Sequence, residues 1–147
     1  MTVVVMQRMA IYLNTTCVAP SSVVIQQHYG RTASFNRTWA EFKVEFGDVS
    51  GNYWIGNERL HQLTLNERYK LRIDLRAKYD YEWYWAEYMN FFVDDESAGY
   101  RLYVGGYSGT AGNCMSPSSG MKFTTRDRDN DLLANANCAV ISEGAGF

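Results

Sequence analysis

The 147-residue sequence predicts one compact, loop-rich domain of the α+β or all-β class. Three observations carry this. Hydrophobic residues make up 46%, enough to bury one real core. Aromatic residues reach 15%, beside 12 Gly and only 2 Pro, a balance that suits packed sheets joined by turns. The run Tyr69 to Arg76 alternates strictly, apolar at odd and charged at even positions, as a strand with one wet face does. Charge excludes one class of partner: 14 Lys+Arg against 16 Asp+Glu leave −2, whereas phosphate binding needs a basic face. A membrane is excluded likewise, because no stretch approaches the ~20 apolar residues of a span.

In sequence order, the start MTVVVMQRMAIYL is apolar but broken by Gln7 and Arg8, so it reads as a buried strand and not as a signal peptide. The other reading is a fragment that lacks its leader. Residues 1–23 are oddly patterned and close on a turn-like stretch, Ala19-Pro20-Ser21-Ser22. Val3 to Gln7 faintly echoes Val23 to Gln27, too briefly for a repeat. Phe35 to Gly47 reads as a short helix with Asn36 as N-cap and Gly47 just past its end. Trp39, Phe42 and Phe46 fall at i, i+3 and i+7 on its buried face. Gly56 to Leu63 reads as a second helix with Leu60 and Leu63 inward. After the Tyr69 strand, Trp83 to Val93 and Tyr100 to Tyr107 read as two more, joined by Asp94-Asp95-Glu96-Ser97-Ala98-Gly99. From Ser108 onward Gly, Ser, Asn and Asp dominate and periodicity fades, the pattern of a functional loop.

The chemically suggestive run is Asp127-Arg128-Asp129-Asn130-Asp131. Hard cations such as Ca²⁺ take six to eight oxygen ligands, and alternating carboxylates on a turning loop can converge on one ion. A solvated acidic loop is the competing reading. An EF-hand is excluded, because its sixth position needs Gly and is Leu132, and its twelfth needs Glu and is Cys138. Elsewhere nothing points to catalysis: His28 and His61 lie far apart, and no nucleophile motif accompanies either, so an enzyme is not expected. Gly105 to Gly112 lacks the Lys-Ser/Thr ending of a phosphate loop and reads as turns that let backbones approach closely. Trp83, Tyr84 and Trp85 offer rings for a sugar or for the sheet itself. Cys17, Cys114 and Cys138 form no CxxC pair, and the odd count allows at most one internal disulfide. Sequons stand at Asn14 and Asn36.

The blocks Phe35-Asn36-Arg37-Thr38-Trp39, Tyr53-Trp54-Ile55-Gly56-Asn57-Glu58, Leu60-His61-Gln62-Leu63-Thr64 and Tyr69 to Leu75 follow one another in an order that resembles the fibrinogen C-terminal domain family. Tyr100-Arg101-Leu102, Ser108 to Gly112, Phe123-Thr124-Thr125, Asp127 to Asp131 and Asn137-Cys138-Ala139 continue the resemblance, which runs from about Val24 to Ala139. It implies an α+β fold with a central, mostly antiparallel sheet, short helices and a long, loop-rich calcium region. It also implies one structural Ca²⁺, held by Asp129 and Asp131 and by carbonyls near Leu133 and Asn135, with Asp127 as a neighbouring acid.

The resemblance has departures. Tyr29 to Ser34 replaces the family's Asp-Gly-Ser block, Cys17 sits at the wrong spacing for the N-terminal cysteine pair, and Cys114 stands where cysteine is unusual. The family's partner for Cys138 lies beyond Phe147, and so do the aromatic walls of its ligand pocket. The expectation is therefore a divergent N-terminal segment (1–23) and a partial fibrinogen C-terminal-like domain (24–147) with an incomplete C-terminal subdomain. No ligand-binding residue is assigned, calcium affinity is expected to be weak, and Trp83, Trp85, Phe91 and Phe92 are expected to expose an apolar patch. A Cys114–Cys138 bond is left open.

By resemblance the function is that of a secreted, extracellular, lectin-like glycoprotein module. It would bind carbohydrate, acetylated or protein ligands in innate recognition or adhesion, alone or as a homo-oligomer. The alternatives are a structural or protein-interaction module of tenascin or angiopoietin type, or a truncated product without a ligand pocket.

Overall fold

The computed structural model describes residues 4–13, 22–29, 35–78 and 80–147. Its frame is a seven-stranded antiparallel sheet: β1 (Val4–Leu13), β2 (Ser22–Tyr29), β3 (Phe46–Gly47), β4 (Tyr53–Trp54), β5 (Tyr69–Ala77), β6 (Trp83–Val93) and β7 (Leu102–Gly109). The order across the sheet is β3-β4-β2-β1-β5-β6-β7. Helices α1 (Trp39–Lys43) and α2 (Asn57–Asn66) and a late turn, α3 (Cys138–Ile141), complete an α+β architecture.

β5 shows why sequence alternation becomes a half-buried strand. Tyr69, Leu71 and Ile73 are buried, while Lys70, Arg72 and Asp74 stay partly open on the other face. Its neighbours hold it in register, Ile73 facing Met9 on β1 and Ala86 on β6. β6 spans Trp83 to Val93, the expected range, and directs Ala86, Tyr88, Phe91 and Val93 inward. β7 begins two residues later than expected, at Leu102, and runs on to Gly109. The Asp94–Gly99 turn ends on Tyr100, whose positive φ of 49° delays the extended backbone.

The first helix is a correction. It covers only Trp39–Lys43, and Thr38, not Asn36, is its N-cap. The Thr38 Oγ1 accepts from the Glu41 amide while the Glu41 carboxylate accepts from the Thr38 amide, a reciprocal capping box. The backbone is extended again at Val44, so Phe46 belongs to β3. Trp39 and Phe42 are buried as expected and Phe46 packs at the rim. Gly47 does adopt a positive φ, but inside the β3–β4 turn, where an added Cβ would lie 2.0 Å from the Asn52 carbonyl oxygen. α2 is longer than expected, extending to Asn66; Leu60 is fully buried and Leu63 packs against the core from its edge.

One aromatic cluster fills the space between the helices and the sheet. Phe123 sits at its centre, with ring centroids 5.3 Å from Phe42, 6.0 Å from Trp54, 6.2 Å from Trp39 and 5.0 Å from Phe147. A cavity of about 320 Å³ borders this cluster, walled by Met9, Ile25, Phe91, Met115 and Phe147 among others. The expected apolar patch is corrected in part. Phe91 is in the core, Trp85 and Phe92 are half-buried, and Trp83 is 52% exposed. No helix among the described residues is long and apolar enough to cross a membrane.

Candidate functional site

The acidic run lies on a loop anchored at both ends. Thr124 and Thr125 are buried, Thr124 bridges to Gly146, and Thr125 forms a tight turn with Arg128. Asn130 donates its side-chain amide to the Phe123 carbonyl (2.8 Å) and its backbone amide to Thr124 Oγ1 (3.2 Å). At the far end Asn137 caps α3 by accepting from the amides of Ala139 and Val140. Its Nδ2 donates to the Thr125 carbonyl (2.9 Å), which closes the loop on itself.

The three aspartates have different environments. Asp127 turns away from the others: its Oδ1 accepts from the Trp39 amide (2.8 Å) and from Thr125 Oγ1 (2.8 Å), tying the loop to the first residue of α1. Arg128 lies 3.9 Å above the Trp39 ring. Trp39 in turn donates its indole N–H to Glu96 (2.8 Å), which also takes Lys43 Nζ at 2.6 Å. The loop, α1 and the β6–β7 turn therefore meet at one indole.

Asp131 accepts from Leu133 N on Oδ1 (2.7 Å) and from Cys138 N on Oδ2 (2.7 Å). These amides, the Cys138 one foremost, hold its carboxyl below the usual carboxylate range, and the Asp131 carboxylate in turn pushes the Cys138 thiol up. Asp129 accepts from the Asp131 amide at 3.3 Å and is otherwise exposed. Leu133 and Asn135 lie on the exposed outer turn. Beside Asp131 and Cys138 opens a cavity of about 280 Å³, closed by Gly144 to Phe147.

The donor chemistry suits a hard cation. The Asp131 oxygens each accept one backbone N–H, and the Cys138 thiol also bonds this carboxylate. Among the described residues no group of three or more His, Cys, Asp or Glu side chains is placed to share a metal. Two carboxylates supplemented by backbone carbonyls is the composition oxygen-ligated Ca²⁺ sites use.

The remaining singled-out residues have packing roles or lie elsewhere. His61 Nδ1 is 2.9 Å from the Val93 carbonyl and its ring meets Phe92 edge-on. His28 packs edge-on to Phe35. Within the glycine-rich stretch Gly109 does permit a close approach, since a Cβ there would lie 2.3 Å from the Trp85 carbonyl oxygen. Cys114 and Cys138 are free thiols, not bonded to each other. Asn36 is half-buried before the α1 cap. Asn14, Cys17, the Ala19–Ser21 stretch and most of the Tyr29–Ser34 segment lie outside the described residues. Sequence reasoning missed Asn137 and Thr38 as organisers. Each carried a readable signal, Asn before an apolar run and Thr three residues before Glu.

A sheet of this order carrying an acidic loop pinned to its first helix defines a fibrinogen-type globe. The protein belongs to the family of the C-terminal globular domain of fibrinogen beta and gamma chains, which matches residues 3–147. It is 41% identical over 128 residues to mouse microfibril-associated glycoprotein 4, covering 83% of this sequence and 49% of that protein. It spans half or less of the length of the curated relatives it matches. Among solved structures it superposes on the fibrinogen-like globe domain of human ANGPTL2 with a TM-score of 0.79 and 28% identity, covering 99% of this sequence and 70% of that one. It also resembles lamprey fibrin D-dimer, complexed with the peptide Gly-His-Arg-Pro-amide, with a TM-score of 0.74 and 27% identity over 93% of this sequence and 52% of that one.

Proposed function

We propose that the protein is part of a secreted, extracellular recognition module that binds ligands and catalyses nothing, with a structural Ca²⁺ on the 127–135 loop. The observation that carries this reading is the pair Asp129 and Asp131 on a loop clamped by Asp127, Asn130 and Asn137, in a member of this family. Asp129 and Asp131 supply the carboxylates, and the Leu133 and Asn135 carbonyls the neutral oxygens. An ion held by these residues would offset the charge of Asp129 and Asp131 and would serve the loop structurally. The protein's own residues do the rest: Asp127 and Arg128 fasten the loop to α1, and Asn137 fixes the turn into α3.

The ligand class is carbohydrate, acetylated groups or protein, in innate recognition or adhesion, and a homo-oligomer with glycosylation at Asn14 and Asn36 fits such a module. The peptide complex of lamprey fibrin D-dimer supports the protein-ligand half of this reading. The same peptide complex fits a second form of this reading, a protein-interaction module without a sugar site. Two measurements test the proposal. Calorimetric titration with Ca²⁺ is expected to give one weak site, lost in Asp129→Ala; no heat with the native protein even at high Ca²⁺ concentration sinks the calcium assignment. An array of neutral and acetylated glycans, run with and without Ca²⁺, is expected to show metal-dependent binding. Its silence, with Ca²⁺ bound, leaves the interaction module.

A further inference from the structure

The outer face of the sheet carries a charge pattern that the calcium loop does not explain. Strand register puts Arg8 beside Asp74 and Trp85, and Arg76 beside Trp83. Lys70, Arg72 and Glu87 lie on the same face, the last two directly opposite each other. The two carboxylates there are already used: Asp74 pairs with Arg72 (3.0 Å), and Glu87 with Arg72 (3.2 Å) and Lys70 (3.5 Å). Arg8 and Arg76 are exposed, and among the described residues neither has a carboxylate within ion-pair distance. A protein of net charge −2 therefore presents one sheet face with two unmatched guanidinium groups.

Arg76 is also held in place. Its Nε donates to the Tyr81 carbonyl (3.1 Å), and its guanidinium lies 5.6 Å from the Tyr81 ring and 5.9 Å from the Trp83 ring. Both rings are more than half exposed, at 62% and 52%. Tyr81 keeps a positive φ of 59°, an unusual backbone for an aromatic residue and one that sets its ring at the hairpin tip. Of the nearby acids, Asp80 accepts from the Tyr84 hydroxyl (2.8 Å), and Glu82 is exposed and, among the described residues, forms no ion pair with either arginine.

We propose that this face, centred on Arg76, Tyr81 and Trp83 with Arg8 beside them, binds an acidic saccharide. A pyranose offers a flat C–H face to an exposed indole or phenol ring, and its carboxylate or sulfate takes the forked donors of a guanidinium. The exposed Tyr81 and Trp83 rings give a pyranose a stacking surface that the carboxylates of an acidic peptide do not use, and two unmatched cations are too few for a nucleic-acid backbone. The site lies on β1, β5 and β6 and uses no residue of the 127–135 loop, so it stands independently of the calcium reading.

The test is binding of a heparin-derived hexasaccharide to the full-length protein at low salt, with a neutral cellulose hexasaccharide, a hexaglutamate peptide and a single-stranded oligonucleotide as comparators. Expected are binding of the acidic saccharide alone, weakening as salt rises, and a loss of about tenfold in Arg76→Ala, the scale of one charge-assisted hydrogen bond. Trp83→Ala is expected to lose a similar amount and Arg76→Lys to restore binding only in part. Unchanged circular dichroism and melting temperature show that the variants fold. Chelating Ca²⁺ is expected to leave binding intact. No saccharide binding, equal binding by the variants, equal binding of the peptide or oligonucleotide, or loss of binding on chelation each overturns the assignment.

Discussion

Replacing Phe123 by Ala tests whether the aromatic cluster, more than any helix, holds this domain together. The ring is 2% exposed and meets four other rings at centroid distances between 5.0 and 6.2 Å. Burying a side group of this size contributes about 2–3 kcal/mol, and the void left behind brings Phe→Ala changes to about 3–5 kcal/mol. One side of the ring already borders a cavity, so its packing is incomplete and the lower half of that range is expected, about 3–4 kcal/mol. For a domain of this length each kcal/mol moves the melting temperature by about 2–4 °C, which gives a drop of about 6–16 °C. Urea unfolding followed by far-ultraviolet circular dichroism and by tryptophan fluorescence reads the change, with coincident curves confirming one transition. Leu132→Ala, at a site 78% exposed, serves as control and is expected within about 0.5 kcal/mol of the native protein. A loss below about 1 kcal/mol for Phe123→Ala, well short of the usual cost of emptying a core site, would show that the cluster is not the core.

Thr38→Ala removes the capping box of α1 and is expected to cost about 1 kcal/mol in the same assay; Ser at this position is expected to retain most of it. Gly47→Ala forces a Cβ against the Asn52 carbonyl at a φ of 85° and is expected to cost about 2 kcal/mol or more. Glu96 and Glu41 are two of the six carboxylates held below their ordinary values among the described residues, and together these set the acid limit of stability. The Lys43 ammonium, then the Trp39 indole, hold Glu96 below its ordinary 4.5, and the Thr38 amide and hydroxyl do the same for Glu41. Because both folded values are lowered, this stabilisation is complete above about pH 4.5 and is lost as pH falls below it. Glu96→Gln is accordingly expected to flatten the acid limb of a pH–stability profile, and an unchanged limb would refute the role given to Lys43 and Trp39.

The parts of the fold visible in the sequence are those whose signal is local. β5 and β6 announced themselves because one face of each is wet, so burial writes a period of two into the residues. α1 misled for an equally physical reason. Trp39, Phe42 and Phe46 satisfy a helical spacing, but a helical turn followed by a strand also brings Trp39 and Phe42 into the core and Phe46 to its rim, and only Thr38 and Glu41 mark where the helix begins. β1 was legible as a buried strand from its apolar run, but β2 was not, since it lies inside the sheet and its pairing is set by residues on β1 and β4, not by a pattern of its own. At the acidic loop, spacing identified the carboxylates but not their division of labour. Asp127 is drawn to α1 by an amide 88 positions away, which no local window contains.

The strand order places the segment Val4–Leu13 in the middle of the sheet, between β2 and β5. It is the seam between two halves that are otherwise each built from near neighbours in sequence: β5-β6-β7 as a meander on one side, β2-β4-β3 on the other. Pairing Val4 with Ala77 closes a long loop, an entropically slow step. On the ribosome this strand emerges before β5 and must wait for β2, both helices and the β3–β4 turn to follow it before that partner appears. Until then its edge is unpaired, so the order of synthesis leaves this strand open to pairing with any other extended segment.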